Sequence, residues 1–327
     1  MFTIPFSDEQ LRLLVNLEQR YRAWIEAEQT LFDLPYGLRR KEIGGRAYLY
    51  EITDRDGNGK SLGPWSETNE RKLADYRSRK SDAKIRIETI WPRLVETCRL
   101  YRALRLPMLA SEAGELLREI DRRRLLGSHF LLVGTNAMAA YSIEAGGLIQ
   151  APDETADFDL SWAAAEEQDS ELLWDVLKAV DPTFTVNTER TFQARNAKAY
   201  EVEILAAPSR VGTMFRKDKP QPQPLEEQEW LLLGRPVEHV VACRDNKPAR
   251  IIAPDPRYFA LQKLWLSKQS KRNPLKRPKD AKQGTILLKA IEETMPQYPL
   301  DRSFEAELPF ELAEQLHSWR SEYPASD

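Results

Sequence analysis

The sequence predicts an α+β protein: a small mixed sheet flanked by helices, preceded by an N-terminal helix, hairpin and long-helix module and followed by a mainly helical C-terminal module. Three observations predict it. Apolar residues recur at helical spacing in long segments towards both ends of the chain. Short apolar runs, HFLLVG, ADFDLSW and YEVEILA, are confined to the middle. A tyrosine-rich stretch with the turn signal DRDGNG lies between the first two helical segments. The resulting division is residues 1–106, a core over 107–210, and 211–327.

The bulk numbers bound the class. A chain of 327 residues with 42% hydrophobic and 30% charged residues can bury a large core under a well-solvated surface. The formal net charge of −3 does not point to nucleic acid for the chain as a whole, although local basic clusters still can. Cys98 and Cys243 lie far apart without metal-ligand spacing, which fits a reducing cytoplasm and no disulfide framework. No signal-peptide pattern opens the chain, and no apolar run approaches the ~20 residues of a membrane helix. The three scattered histidines, His129, His239 and His317, give no support to zinc or triad chemistry and read as structural or surface residues.

The elements follow in order. Ser7 caps a helix whose apolar positions Leu14, Leu17, Tyr21 and Trp24 share a face. Residues 39–64 read as one hairpin in which Arg39, Arg40, Lys41, Arg46 and Lys60 interleave with Tyr48 and Tyr50. That composition suits either a solvated edge or a nucleic-acid strand. Ser66 caps a charged helix running to about Leu104, which Pro92 is expected to kink or split. SEAGELLREIDRRRLL is a further helix closed by Gly127. HFLLVG is a buried strand and TNAMAAYSIEA a short helix. GGLIQAPDETA is a loop leading into ADFDLSW. SELLWDVLKAV is helical, TFTV a strand, and YEVEILA a strand after a turn near Asn196. KDKPQPQPLEEQE reads as a linker or surface loop, and helices return from DPRYFALQKLWLSKQ onward.

The chemistry concentrates in the middle. Asp157 and Asp159 stand two apart on a strand, so both point to one face about 7 Å apart. Like charges so placed call for a cation, and hard carboxylate oxygens suit Mg²⁺ or Mn²⁺ shared with substrate phosphates. Glu203, in an equally apolar strand, offers a third carboxylate, with Glu201 two residues earlier on the same face. Gly134, Thr135 and Asn136 form a strand-to-helix turn suited to a triphosphate. Lys263 lies within an amphipathic helix. Arg272, Lys276, Arg277 and Lys279 follow in a flexible basic loop before Asp280 opens the next helix.

With those residues quoted, the stretch VGTNA…DFD…VEIL resembles the signature of the DNA polymerase β-like nucleotidyltransferase superfamily. GRAYLY, KSLGPWSET, VGTNA, DFDL, PDPRYFALQKLWLS and KRPKD further resemble a bacterial family of uncharacterised nucleotidyltransferase-fold proteins, across roughly residues 36 to 290. Lys263, Arg272 and Lys279-Asp280 are also similar to the abortive-infection type nucleotidyltransferase toxins. The resemblance implies a polymerase β-like core and metal-dependent transfer of a nucleoside monophosphate from an NTP to a hydroxyl.

It implies metal ligands at Asp157, Asp159 and Glu203. NTP contacts are implied at Gly134, Thr135, Asn136, Lys263, Arg272 and Lys279. Asp280 becomes a general base or only a helix cap. Gly-Thr replaces the superfamily's Gly-Gly or Gly-Ser, and Glu203 stands where Asp is common. Residues 146–155 read as an insertion that forms a lid or part of the acceptor site. Three acceptor readings stay open: an RNA end such as tRNA, with a toxin role and an antitoxin partner as options; a protein or small-molecule hydroxyl; or a silent nucleotide- or nucleic-acid-binding module.

Overall fold

The computed structural model describes residues 2–152, 157–165, 172–212 and 219–324. The chain opens with β1 (Thr3–Pro5) and α1 (Asp8–Asp33), then β2 (Gly37–Ile43), β3 (Arg46–Ile52), β4 (Gly59–Pro64) and α2 (Glu67–Ala103). The middle comprises α3 (Ser111–Arg122), β5 (Phe130–Leu132), a 3₁₀ turn over Gly134–Ala137, α4 (Met138–Glu144), β6 (Gly147–Ile149), β7 (Asp157–Trp162), α5 (Leu172–Val180), β8 (Thr185–Val186), β9 (Gln193–Arg195), β10 (Glu201–Ala206) and α6 (Pro208–Val211). The remainder holds β11 (Gln223–Pro224), a 3₁₀ segment over Glu226–Leu232, β12 (Val237–Ala242), β13 (Pro248–Ala253), α7 (Pro256–Lys268), α8 (Arg277–Thr294), α9 (Arg302–Glu307) and α10 (Phe310–Glu322).

A six-stranded mixed sheet carries the order β5-β7-β10-β9-β8, with β11 alongside β10. Alternation along its two central strands explains its placement. Phe158, Leu160 and Trp162 of β7 and Val202, Ile204 and Ala206 of β10 are buried in the core. The acidic residues occupy the opposite face. Trp162 packs edge-on against Phe130 of β5 at 5.2 Å between ring centres.

α1 and α2 run antiparallel, Gln10 Nε2 bonding Leu104 O at 2.9 Å and Arg20 bonding Thr97. Ser7 and Gln10 form a reciprocal cap at the start of α1, and Ser66 Oγ accepts from Asn69 N at the start of α2. Pro92 does not split α2, which runs unbroken from Glu67 to Ala103. An interior proline costs about 3 kcal/mol. Here the neighbouring turns are clamped by burial of Leu94 and Cys98 and by stacking of Trp91 on Trp24 at 4.9 Å.

Four further expectations are corrected. Residues 37–64 form a three-stranded sheet rather than one hairpin, because Gly44 and Gly45, both at positive φ, add a tight turn before DRDGNG. Gly127 does not close α3, whose C-cap is Arg123; Gly127 turns the chain into β5 at φ 82°. The presumed insertion is partly a strand, since β6 pairs antiparallel with β1; its residues 153–155 lie outside the described ones. The Pro/Gln-rich linker contains β11, which pairs parallel with β10, and the C-terminal region gains the hairpin β12–β13.

One buried apolar cluster runs from Phe6 to Trp319, linking all three sequence regions. Inside it, Asp121 of α3 is fully buried and accepts from Tyr21 Oη at 2.8 Å and from Arg250 Nε at 3.0 Å. That network ties α1, α3 and β13 together.

Candidate active site

The parallel pairing of β7 with β10 sets Glu203 beside Asp159 and Glu201 beside Asp157. Asp159, Glu201 and Glu203 therefore belong to one face of the sheet, opposite the core. Asp157 stands in register, but its side chain lies outside the described residues. Glu203 accepts from Gln193 Nε2 at 3.1 Å, whereas Glu201 is also taken up by Arg195. Of the two glutamates, Glu203 borders a cavity of about 280 Å³.

That cavity carries the site. One wall holds Asp159, Glu203 and the Val133–Gly134 turn; the other holds Lys263, Arg272 and Lys276. Gly134 is needed on two grounds. Its φ is +67°, and a Cβ there would collide with the Asp159 carboxylate. Glycine at the end of β5 thus lets Asp159 pack directly against the turn. Thr135 and Asn136 are buried behind it and do not line the cavity; the Thr135 hydroxyl meets Gln283 Nε2 of α8 at 3.4 Å. The turn itself is 3₁₀.

The cationic wall follows from how α7 crosses α8. A Cβ at Gly284 would stand 2.7 Å from Ala260 O, so only glycine allows this approach. One turn earlier on α8, Asp280 meets Lys263, with Nζ donating to Oδ1 at 3.0 Å. Arg272 Nε donates to the other oxygen, Oδ2, at 2.7 Å. Lys263 and Asp280 are both buried. Burial alone would raise the Asp280 carboxyl, but the Lys263 ammonium and the Arg272 guanidinium outweigh it and hold the group below its ordinary value.

Asp280 therefore does not cap α8; it lies in the first turn, after an N-cap at Lys276 that makes no side-chain cap bond. The basic loop expected to be flexible is pinned, because Arg277 donates to Arg272 O at 3.1 Å and Ser270 O at 2.6 Å. Lys279 is half-buried and is not part of the cavity lining, which receives Lys276 instead.

Sequence reasoning missed the third wall. Gln223, Leu225 and Gln228, from the stretch read as a linker, line the cavity together with Gln262. Gln262 is buried and donates to Glu227 O at 3.3 Å, which fastens that stretch to α7. A glutamine beside Lys263 in an otherwise apolar helix was the available signal. Cys98 and Cys243 are free and buried, and burial pushes the Cys243 thiol up to about 12. His239 is structural, bonding Glu144 at 2.6 Å.

A larger cavity, about 370 Å³, opens between Trp24, Trp91 and α3; of its carboxylates Glu28, Glu115 and Glu119, the last is held by Arg122 and Arg123. None of the sequence motifs meets there.

No described helix is long and apolar enough to cross a membrane. A family model described as "Nucleotidyltransferase" matches residues 111–309, well over half of the chain, and spans every residue that lines the 280 Å³ cavity. No curated protein and no solved structure matches the chain.

Proposed function

This chain belongs to the nucleotidyltransferase family and is a transferase of nucleoside monophosphates; from that premise we propose that the 280 Å³ cavity is its NTP site and that an RNA end supplies the accepting hydroxyl. The observation that carries the reading is the meeting of two walls. Asp159 and Glu203, in register on β7 and β10, line one cavity together with Lys263, Arg272 and Lys276. A triphosphate with its metal needs both signs of charge at close quarters.

Each residue has a part. Lys263 and Arg272 bind the phosphates, with Lys276 at the rim. Asp280 is a positioning residue rather than a base, because both of its oxygens already accept from cations. Asp159 and Glu203, with Asp157 alongside, form a hard-oxygen donor set that fits Mg²⁺ or Mn²⁺. When bound, such an ion neutralises phosphate charge and activates the attacking oxygen. Glu203 holds the acceptor hydroxyl and takes its proton as the oxygen attacks the α-phosphorus and pyrophosphate leaves. Leu205, Leu225 and Leu231 give the nucleoside an apolar side, and Gln228 and Gln262 give it polar edges.

The test supplies each α-labelled NTP with Mg²⁺ or Mn²⁺ and cellular RNA or protein extract, beside an Asp157→Ala, Asp159→Ala double variant. Label in an RNA band that the variant fails to produce is the expected result. Label in a protein band moves the acceptor to protein. No label with any NTP overturns transfer by this cavity.

A further inference from the structure

The sheet β2-β3-β4 has two chemically different faces, one of which packs on α2. Regular antiparallel pairing of β2 with β3 fixes which residue belongs to which face. On the packed face, Leu38, Leu49 and Trp65 meet Leu73 and Tyr76 of α2 in a small apolar cluster. The sheet's strand carboxylates, Glu42 and Glu51, fall on that face too, where they pair with Arg40 and Lys60.

The other face carries Arg39 opposite Tyr50, Lys41 opposite Tyr48, and Ile43 opposite Arg46. It holds no strand carboxylate. Arg39, Lys41 and Arg46 are exposed and make no ion pair among the described residues. Lys41 Nζ stands 4.8 Å from the centre of the half-buried Tyr50 ring. A bulge in β4, at Gly63 with φ +114°, leaves the β2–β3 rungs undisturbed.

We propose that this face binds single-stranded nucleic acid. Two successive rungs each set a cation beside an aromatic ring, at about 7 Å spacing along the strand. That is the combination that holds a phosphate and stacks its base without reading sequence. The position of the sheet argues for a polymer. It packs near Leu73 of α2, while α2 meets the main core from Ile87 onward. At the rise of an α-helix those points are about 20 Å apart. A ligand that touches this sheet and also reaches the main core covers that span, so it is a chain of several nucleotides, not a small molecule. This inference rests on the polynucleotide-acceptor reading above and names the surface that receives the strand.

The test measures fluorescence anisotropy of labelled single-stranded RNA, and of DNA of the same sequence, with full-length protein and no NTP. Tyr48→Ala with Tyr50→Ala is expected to weaken binding at least about tenfold. Arg39→Glu with Lys41→Glu is expected to lower the slope of log affinity against log salt by about 1.4, the value for two phosphate contacts on a single strand. Arg12→Glu, exposed on α1, serves as the charge control and leaves binding unchanged. Melting curves and NTP binding, recorded in parallel, remain at wild-type values in every variant.

The RNA and DNA arms identify which strand is preferred. If wild-type protein binds neither, or if the sheet variants bind as wild type does, the proposal is overturned even when NTP transfer is active. Loss of NTP binding in wild type instead overturns the cavity reading and leaves the sheet result to stand by itself.

Discussion

Two aspartates in this chain are buried and held by cations, yet they occupy different kinds of place. Asp121 is fully buried, and its partners Tyr21 and Arg250 come from α1 and β13, so its network closes on itself. Asp280 is nearly as buried, but its partners Lys263 and Arg272 both also border the cavity that Asp159 and Glu203 line. Both aspartates hold cations; only one holds them where a ligand can reach. A buried ion pair is therefore no sign of a site by itself. The sign is a pair whose cations also line a cavity that carboxylates share.

The widest separation between the two regions is expected from the carboxylate wall. Asp159→Asn or Glu203→Gln should lower transfer about a thousandfold or more, with a melting temperature within about 3 °C of wild type. Steady-state kinetics and calorimetry check both halves. Chelation with EDTA should likewise abolish transfer, and Mg²⁺ or Mn²⁺ should restore it. Asp121→Ala should do the reverse. Stripping a buried partner from Arg250 and Tyr21 costs about 3 kcal/mol in urea unfolding, while transfer per folded molecule persists.

Asp280→Asn should sit between these extremes, losing about 2 kcal/mol of stability and raising the NTP KM, because Lys263 and Arg272 lose their anchor. Its pH dependence sharpens the point. A carboxyl held below its ordinary value of 3.8 contributes stability that is complete above that value and is lost as pH falls through the lowered one. The stability gap between wild type and Asp280→Asn should thus be level from pH 7 to about 5 and narrow below about 4. Smallest of all, Lys276→Ala removes an exposed cation at the rim; KM should rise about threefold with no change in melting.

Much of the carboxylate wall was legible in the sequence because strand alternation is local. DFDL and VEIL each declare two faces, and only their pairing in register had to come from the fold. The cationic wall was half legible. Lys263 and Arg272 stand out as charges near an amphipathic helix, but nothing local says that Asp280, on the next helix, grips both. Reading Asp280 as a cap failed because the cap position belongs to Lys276, four residues earlier.

The linker was misread for a different reason. Proline and glutamine describe how a segment behaves alone, whereas Gln223 and Leu225 are placed by pairing with β10, far away in sequence. Strands β12 and β13 escaped notice because they are buried for most of their length and show little polar alternation. Asn246, at φ 58° in their turn, was the readable clue.

The most direct test of the central claim loads the cavity without any acceptor. Mn²⁺ is titrated against wild-type protein and Asp159→Asn in the presence of a non-hydrolysable NTP, and free Mn²⁺ is read by electron paramagnetic resonance. The account predicts that wild type depletes the free Mn²⁺ signal only when the nucleotide is present, and that Asp159→Asn leaves it close to the protein-free curve. Equal depletion by the two proteins would contradict the assignment of this cavity as the metal-nucleotide site.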